Sequence, residues 1–177
     1  MSVQHAIQTL SQRLLLLLWL ILLFTPLSLT YLWFYGTLFD SPTGVNLEFS
    51  YDVSLPMSLG QSLIGYPFAL VPSLVYMAII WQLIRLFRLY RSGEVFTQDN
   101  ISCFRHIANL MIATPFIDVL SDILLGAVLS FGQEDFNTGL SVDDSDLTIL
   151  IIGLMVRAIS HVMTLAKNLK EENELTV

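Results

Sequence analysis

The residues of this chain best equipped for chemistry are Asp118, Asp122, Arg157 and His161. All four fall inside long apolar stretches. Ionisable side chains in such stretches are rare, costly to embed and normally face a partner. Asp118 and Asp122 share a helix face one turn apart, and so do Arg157 and His161. If the third apolar segment enters the membrane at Arg105, Asp118 lies about 20 Å deep at 1.5 Å per residue. If the fourth leaves at Leu169, Arg157 lies about 18 Å from the same face. Helices joined by a short loop pack as antiparallel neighbours, so an Asp118–Arg157 pair is geometrically reasonable. Asp122 and His161 would extend it into a polar ladder. Two chemistries stay open: a buried ion pair that fixes how two helices dock, and a proton or ion relay or polar-ligand site of a small transport protein.

Other chemistries find no support. There is no His-Glu-x-x-His, no phosphate-binding loop and no Gly-x-Ser-x-Gly. His5, His106 and His161 are too scattered for a metal site, and Cys103 is a lone thiol. We therefore expect a non-enzymatic protein with no catalytic residue, no metal and no cofactor. The run Asp143-Asp144-Ser145-Asp146 lacks the spacing and glycine of a calcium loop. It precedes an apolar segment, where Ser145 or Asp146 would cap free N–H groups and the acids would suit the helix dipole.

The elements that must carry these residues follow from composition. Of the 177 residues 54% are hydrophobic and 13% charged, against about 25% charged in soluble domains. A globule of this size cannot hide so much apolar surface, which also excludes disorder. A net charge of -7 disfavours direct nucleic-acid binding. The expected fold is an all-α integral membrane protein, a four-helix bundle with a small extracellular β element, and residues 1–177 form a single membrane domain. A span needs about 20 mostly apolar residues, and four stretches qualify: about 14–35, 63–87, 107–131 and 147–166. The first is too long and lacks the cleavage site of a signal peptide. Pro26 should kink it, and Tyr31, Trp33 and Tyr35 read as an interfacial aromatic belt.

Of the eight Lys and Arg, only Arg157 lies well within a span, Arg85 standing at the end of the second. Arg13, Arg85, Arg88, Arg91, Arg105, Lys167 and Lys170 all fall on one side. The other two connections, 37–62 and 132–146, hold eight of the fifteen acids and no cation. The excess of Lys and Arg marks the cytoplasmic side, so both termini and the loop 88–106 should be cytoplasmic, in the inner membrane. Arg85 and Arg88 should snorkel to lipid head groups. In the first outer loop Val45, Leu47, Phe49, Tyr51, Val53 and Leu55 alternate with polar residues, the period of a strand with one buried face. Gly139–Val142 is a possible partner strand. In the inner loop, Thr97 reads as the N-cap of a helix starting near Gln98, with Phe96 and Ile101 as a hydrophobic staple.

Two stretches carry a resemblance. They are LFRLYRSGEVFTQDNISCFRHI, from Leu86 to Ile107, and VMTLAKNLKEENELTV, from Val162 to Val177. With four spans and strand-bearing outer loops, the chain resembles the bacterial membrane family catalogued as domain of unknown function 2975. The resemblance implies no activity. It implies a setting, since such proteins are often encoded beside small helix-turn-helix regulators, and so a signalling or regulatory role with such a regulator as a cytoplasmic partner. The surface such a partner would meet is Arg91, Glu94, Phe96, Asn100 and Arg105.

Overall fold

The computed structural model describes residues 3–39, 55–92, 97–130 and 143–175. They form four helices: α1 Val3–Leu38, α2 Leu59–Arg91, α3 Gln98–Leu129 and α4 Asp144–Leu175. Each is long and apolar enough to cross a membrane, the architecture of a multi-pass membrane protein. No strand occurs among the described residues. The alternating segment from Val45 to Val53 and the candidate strand at Gly139–Val142 lie outside them.

The helix ends follow their local chemistry. Ser58 opens α2 with a full capping box: its hydroxyl accepts from the N–H of Gln61, whose side chain accepts from the N–H of Ser58. Thr97 caps α3, as its position before Gln98 predicts. At α4 the cap is shifted. Asp146 does not stand at the cap position but reaches back, its carboxylate accepting from the N–H of Asp143, while Asp143 O accepts from the N–H of Asp146.

The helices are not arranged as a closed bundle. Among the described residues, helix backbones are neighbours only in chain order, α1 with α2, α2 with α3, α3 with α4. The result is an open row with α1 and α4 at its edges. The reason lies in composition: in lipid an apolar face needs no protein cover, so only faces with small or polar residues are drawn together. Leu16, Leu23, Phe24 and Leu27 of α1 and Leu154, Met155 and Val162 of α4 stay exposed.

Small residues set the spacing and register. Gly153 of α4 lies so close to α3 that a Cβ would sit 3.0–3.1 Å from Met111 Cβ and from Ile112 Cγ1 and N. Nearby, Ser160 Oγ donates to Ile101 O at 3.3 Å, and Lys167 Nζ to Gln98 Oε1 at 3.3 Å. Between α2 and α3, proline does the equivalent. Pro72 cannot donate to the carbonyl of Phe68 one turn back, and Ser121 Oγ of α3 donates to that freed oxygen at 2.6 Å. Pro26 and Pro115 also sit inside continuous helices.

One end of the row is knitted by neutral hydrogen bonds. Trp33 is buried, not part of an interfacial belt: its indole N–H donates to Ser62 O at 3.0 Å, and its ring packs on Leu125 and Leu129. Thr37 and Ser62 share a hydrogen bond of 2.7 Å, Thr30 and Tyr66 one of 2.6 Å. Tyr31 remains exposed and stacks on Tyr35. The opposite end carries Arg13, Arg85, Arg88 and Arg105. We refer to the two as the knotted end and the arginine end.

Candidate functional site

The α3–α4 register decides what the embedded charges can do. From the contact of Gly153 with Ile112, four residues along α4 lead to Arg157 and the same distance back along α3 to Ala108. The Arg157 guanidinium accordingly meets Asn109, Nη1 donating to Oδ1 at 3.1 Å. Nine residues the other way, α4 begins at Asp144, level with Ser121. Asp118 is nine residues beyond Asn109, so about 13 Å further along the helix axis. The expected Asp118–Arg157 pair does not form, and the ladder is split.

The expectation failed for a definite reason. It took Arg105 and Leu169 as level, the points where the apolar runs stop. The observed contacts put Gln98 level with Lys167 and Ile101 with Ser160. Helix α4 is slid along α3 by about three turns relative to the expectation. Membrane depths change as well. Arg157 stands about one turn from Arg105, at the edge of the apolar layer and not at its middle. Asp118 and Asp122 keep their places about 20 and 25 Å from Arg105 along α3, inside a layer about 30 Å thick. A charge at the centre of a span costs roughly 2.5–3.5 kcal/mol on insertion scales and much less at the edge. The register lowers that cost for Arg157 and leaves the two carboxylates where they were.

The acidic side is formed by Asp118 and Asp122, both half-buried, in electrostatic reach of Asp146 at the start of α4. Asp118 Oδ1 is buried without a hydrogen-bond partner. Among the described residues no three His, Cys, Asp or Glu side chains come together as metal ligands.

The arginine side is a small polar cavity of about 100 Å³ between α3 and α4, lined by Arg105, Arg157, Ser160, His161 and Thr164. Arg157, His161 and Thr164 follow at intervals of four and three, one face of α4. Ser160 is buried with its hydroxyl hydrogen directed to Ile101 O, and Thr164 donates to Ser160 O. Two further arginines of this end have partners: Arg85 lies 3.8 Å from Asp99, and Arg88 lies 5.7 Å over the Trp19 ring.

Of the expected partner surface, Arg91 and Arg105 are exposed. Asn100 is fully buried and cannot serve there. It sits in the first turn of α3 beside Ile101 and Cys103, which are equally buried, because that side of the turn is packed inside the row while Gln98 and Asp99 face outward. Glu94 and Phe96 lie outside the described residues. Sequence reasoning missed Asn109, Ser160 and Thr164. Asn109 had a usable signal: it is one turn from Arg105 on the same face of α3, the nearest polar group to an arginine entering from α4.

With the architecture in place, the comparison with known families is decisive. The profile of the family described as protein of unknown function (DUF2975) matches residues 14–177. The chain belongs to that family. The match covers all four helices of this DUF2975 protein apart from the first turns of α1. No curated protein and no solved structure matches it.

Proposed function

We propose that this DUF2975 protein is a non-enzymatic regulatory protein of the bacterial cytoplasmic membrane that holds a cytoplasmic protein at its arginine end. The observation that carries the reading is the overhang of α4. Lys167 of α4 donates to Gln98, the first residue of α3. Helix α4 then runs eight residues further to Leu175, about 12 Å past its neighbour. That overhang bears Lys170, Glu171, Glu172 and Glu174, and Glu172 is exposed. It offers a partner a charged helical handle, with exposed Arg91 at the same end.

The positive-inside bias supports a cytoplasmic position for that end and for both termini. The partner class follows from the family resemblance: a small helix-turn-helix regulator. The alternating segment from Val45 to Leu55 would close the knotted end as a small outer β element. A relay through Asp118, Asp122, Arg157 and His161 has less support, because the ladder it required is interrupted by the apolar stretch of α3 between Asn109 and Asp118.

The test is in-cell photo-crosslinking with the probe at Glu172 and, separately, at Arg91, read by mass spectrometry. Recovery of one cytoplasmic DNA-binding protein from both positions is expected. Recovery of lipid and the protein's own chain alone from both would overturn the reading.

A further inference from the structure

The cavity between α3 and α4 is an unneutralised cationic site. Arg105 and Arg157 both line it, with His161 beside them. Among the described residues no carboxylate lies within ion-pair distance of either guanidinium, whereas Arg85 in the same belt has Asp99. The single polar partner of Arg157 is the neutral Asn109 amide, which engages Nη1. A guanidinium has five N–H donors in a planar fork, so most of those on Arg157 remain for another acceptor. The hydroxyls of Ser160 and Thr164 do not compete as donors, since both are directed to backbone carbonyls. Two guanidinium forks converging on a cavity of about 100 Å³ match the size and the several acceptor oxygens of a phosphate group.

We propose that Arg105 and Arg157 form a binding site for a phosphate-bearing anion, with Asn109 as the residue that positions the Arg157 fork. The chemistry is shared by two sources, the head group of an anionic phospholipid and a soluble phosphate ester. The position at the edge of the apolar layer suits the first, and the exposed apolar side chains Ile159, Val162 and Leu165 on the same stretch of α4 would flank its acyl chains. This site does not depend on the partner reading above.

The experiment uses the full chain, purified in a neutral detergent, stripped of lipid and titrated with phosphatidylglycerol or phosphatidylcholine under native mass spectrometry. Glycerol phosphate is then added as competitor. A phosphatidylglycerol preference of tenfold or more is expected. At about 1 kcal/mol per arginine near a membrane surface, Arg105→Gln should weaken binding about fivefold and Arg105→Gln/Arg157→Gln about thirtyfold. Arg105 is exposed, so its single variant stays interpretable if the double variant misfolds. Binding that resists glycerol phosphate identifies the lipid head group, and displacement identifies a soluble phosphate ester. Either supports the site. Two results would overturn it: no binding of phosphatidylglycerol or glycerol phosphate above the phosphatidylcholine level, or an equal loss in Arg13→Gln, which removes a charge from the same belt outside the cavity.

Discussion

The knotted end and the arginine end are built on opposite principles. At the first, α1 and α2 are drawn together by neutral groups that satisfy one another, the Trp33 indole on Ser62 O, Thr37 on Ser62 and Thr30 on Tyr66, with Leu125 and Leu129 of α3 packed against Trp33. At the second, long charged side chains reach outward, and two of them face a cavity with no acid. In lipid, apolar packing gains nothing over apolar solvation, so short neutral hydrogen bonds and close contacts must hold helices together. Charged groups are poor at that task and suited to ligands. The difference implies that stability resides at one end and recognition at the other.

The sharpest way to break this division is Trp33→Ala. It empties the pocket against Leu125 and Leu129 and leaves Ser62 O without the indole N–H. A loss of about 3–5 kcal/mol is expected from the cavity and the lost bond, measured by unfolding in mixed micelles. Arg157→Gln, measured in parallel, should cost less than about 1 kcal/mol, because Arg157 is exposed and its one bond is to a neutral amide. Similar losses in the two would show that the ends share the burden of stability.

A second contrast separates the two glycines at helix crossings. A Cβ on Gly153 meets the backbone nitrogen of Ile112 and the Cβ of Met111, neither of which can move without moving α3. A Cβ on Gly65 meets Trp33 Cζ2 and the terminal methyls of Leu125 and Leu129, at 3.1–3.3 Å, and the leucine ends can yield. Gly153→Ala should therefore cost about 1–3 kcal/mol by overpacking, and Gly65→Ala less. The reverse order would mean that the knot is the more rigid contact.

How far the sequence carried this structure depends on what kind of information each feature needs. The four helices, the start of α3 at Gln98 and the gathering of cations at one end are local or compositional, and they were legible. Register was not. It is set by which small or polar residue on one helix meets which on the next, as Gly153 meets Ile112 and Ser121 meets the carbonyl freed by Pro72. An apolar run has no internal marker for that pairing, and the places where hydrophobicity stops are a poor substitute, since α4 continues well past its apolar stretch. The same gap hid the open row: composition says that helices are embedded but not which faces lipid covers. Trp33 was misplaced for a related reason, because a tryptophan at a span end fits an interfacial anchor and a buried donor equally well until Ser62 is seen beneath it.

The smallest expected effect tests the register itself. Two double-mutant cycles share Arg157→Gln, one with Asn109→Ala and one with Asp118→Asn. Asn109 accepts directly from Arg157, so the first cycle should show a coupling of about 0.6 kcal/mol, the average for polar pairs between membrane helices. Asp118 lies about 13 Å from that level and shares no partner with Arg157, so the second should be additive within about 0.5 kcal/mol. A coupling well above 1 kcal/mol in the Asp118 cycle is the outcome to watch for. It would slide α4 by about three turns, restore an ion pair at mid-depth, dissolve the cavity between Arg105 and Arg157, and return the weight of the molecule from its ends to its centre.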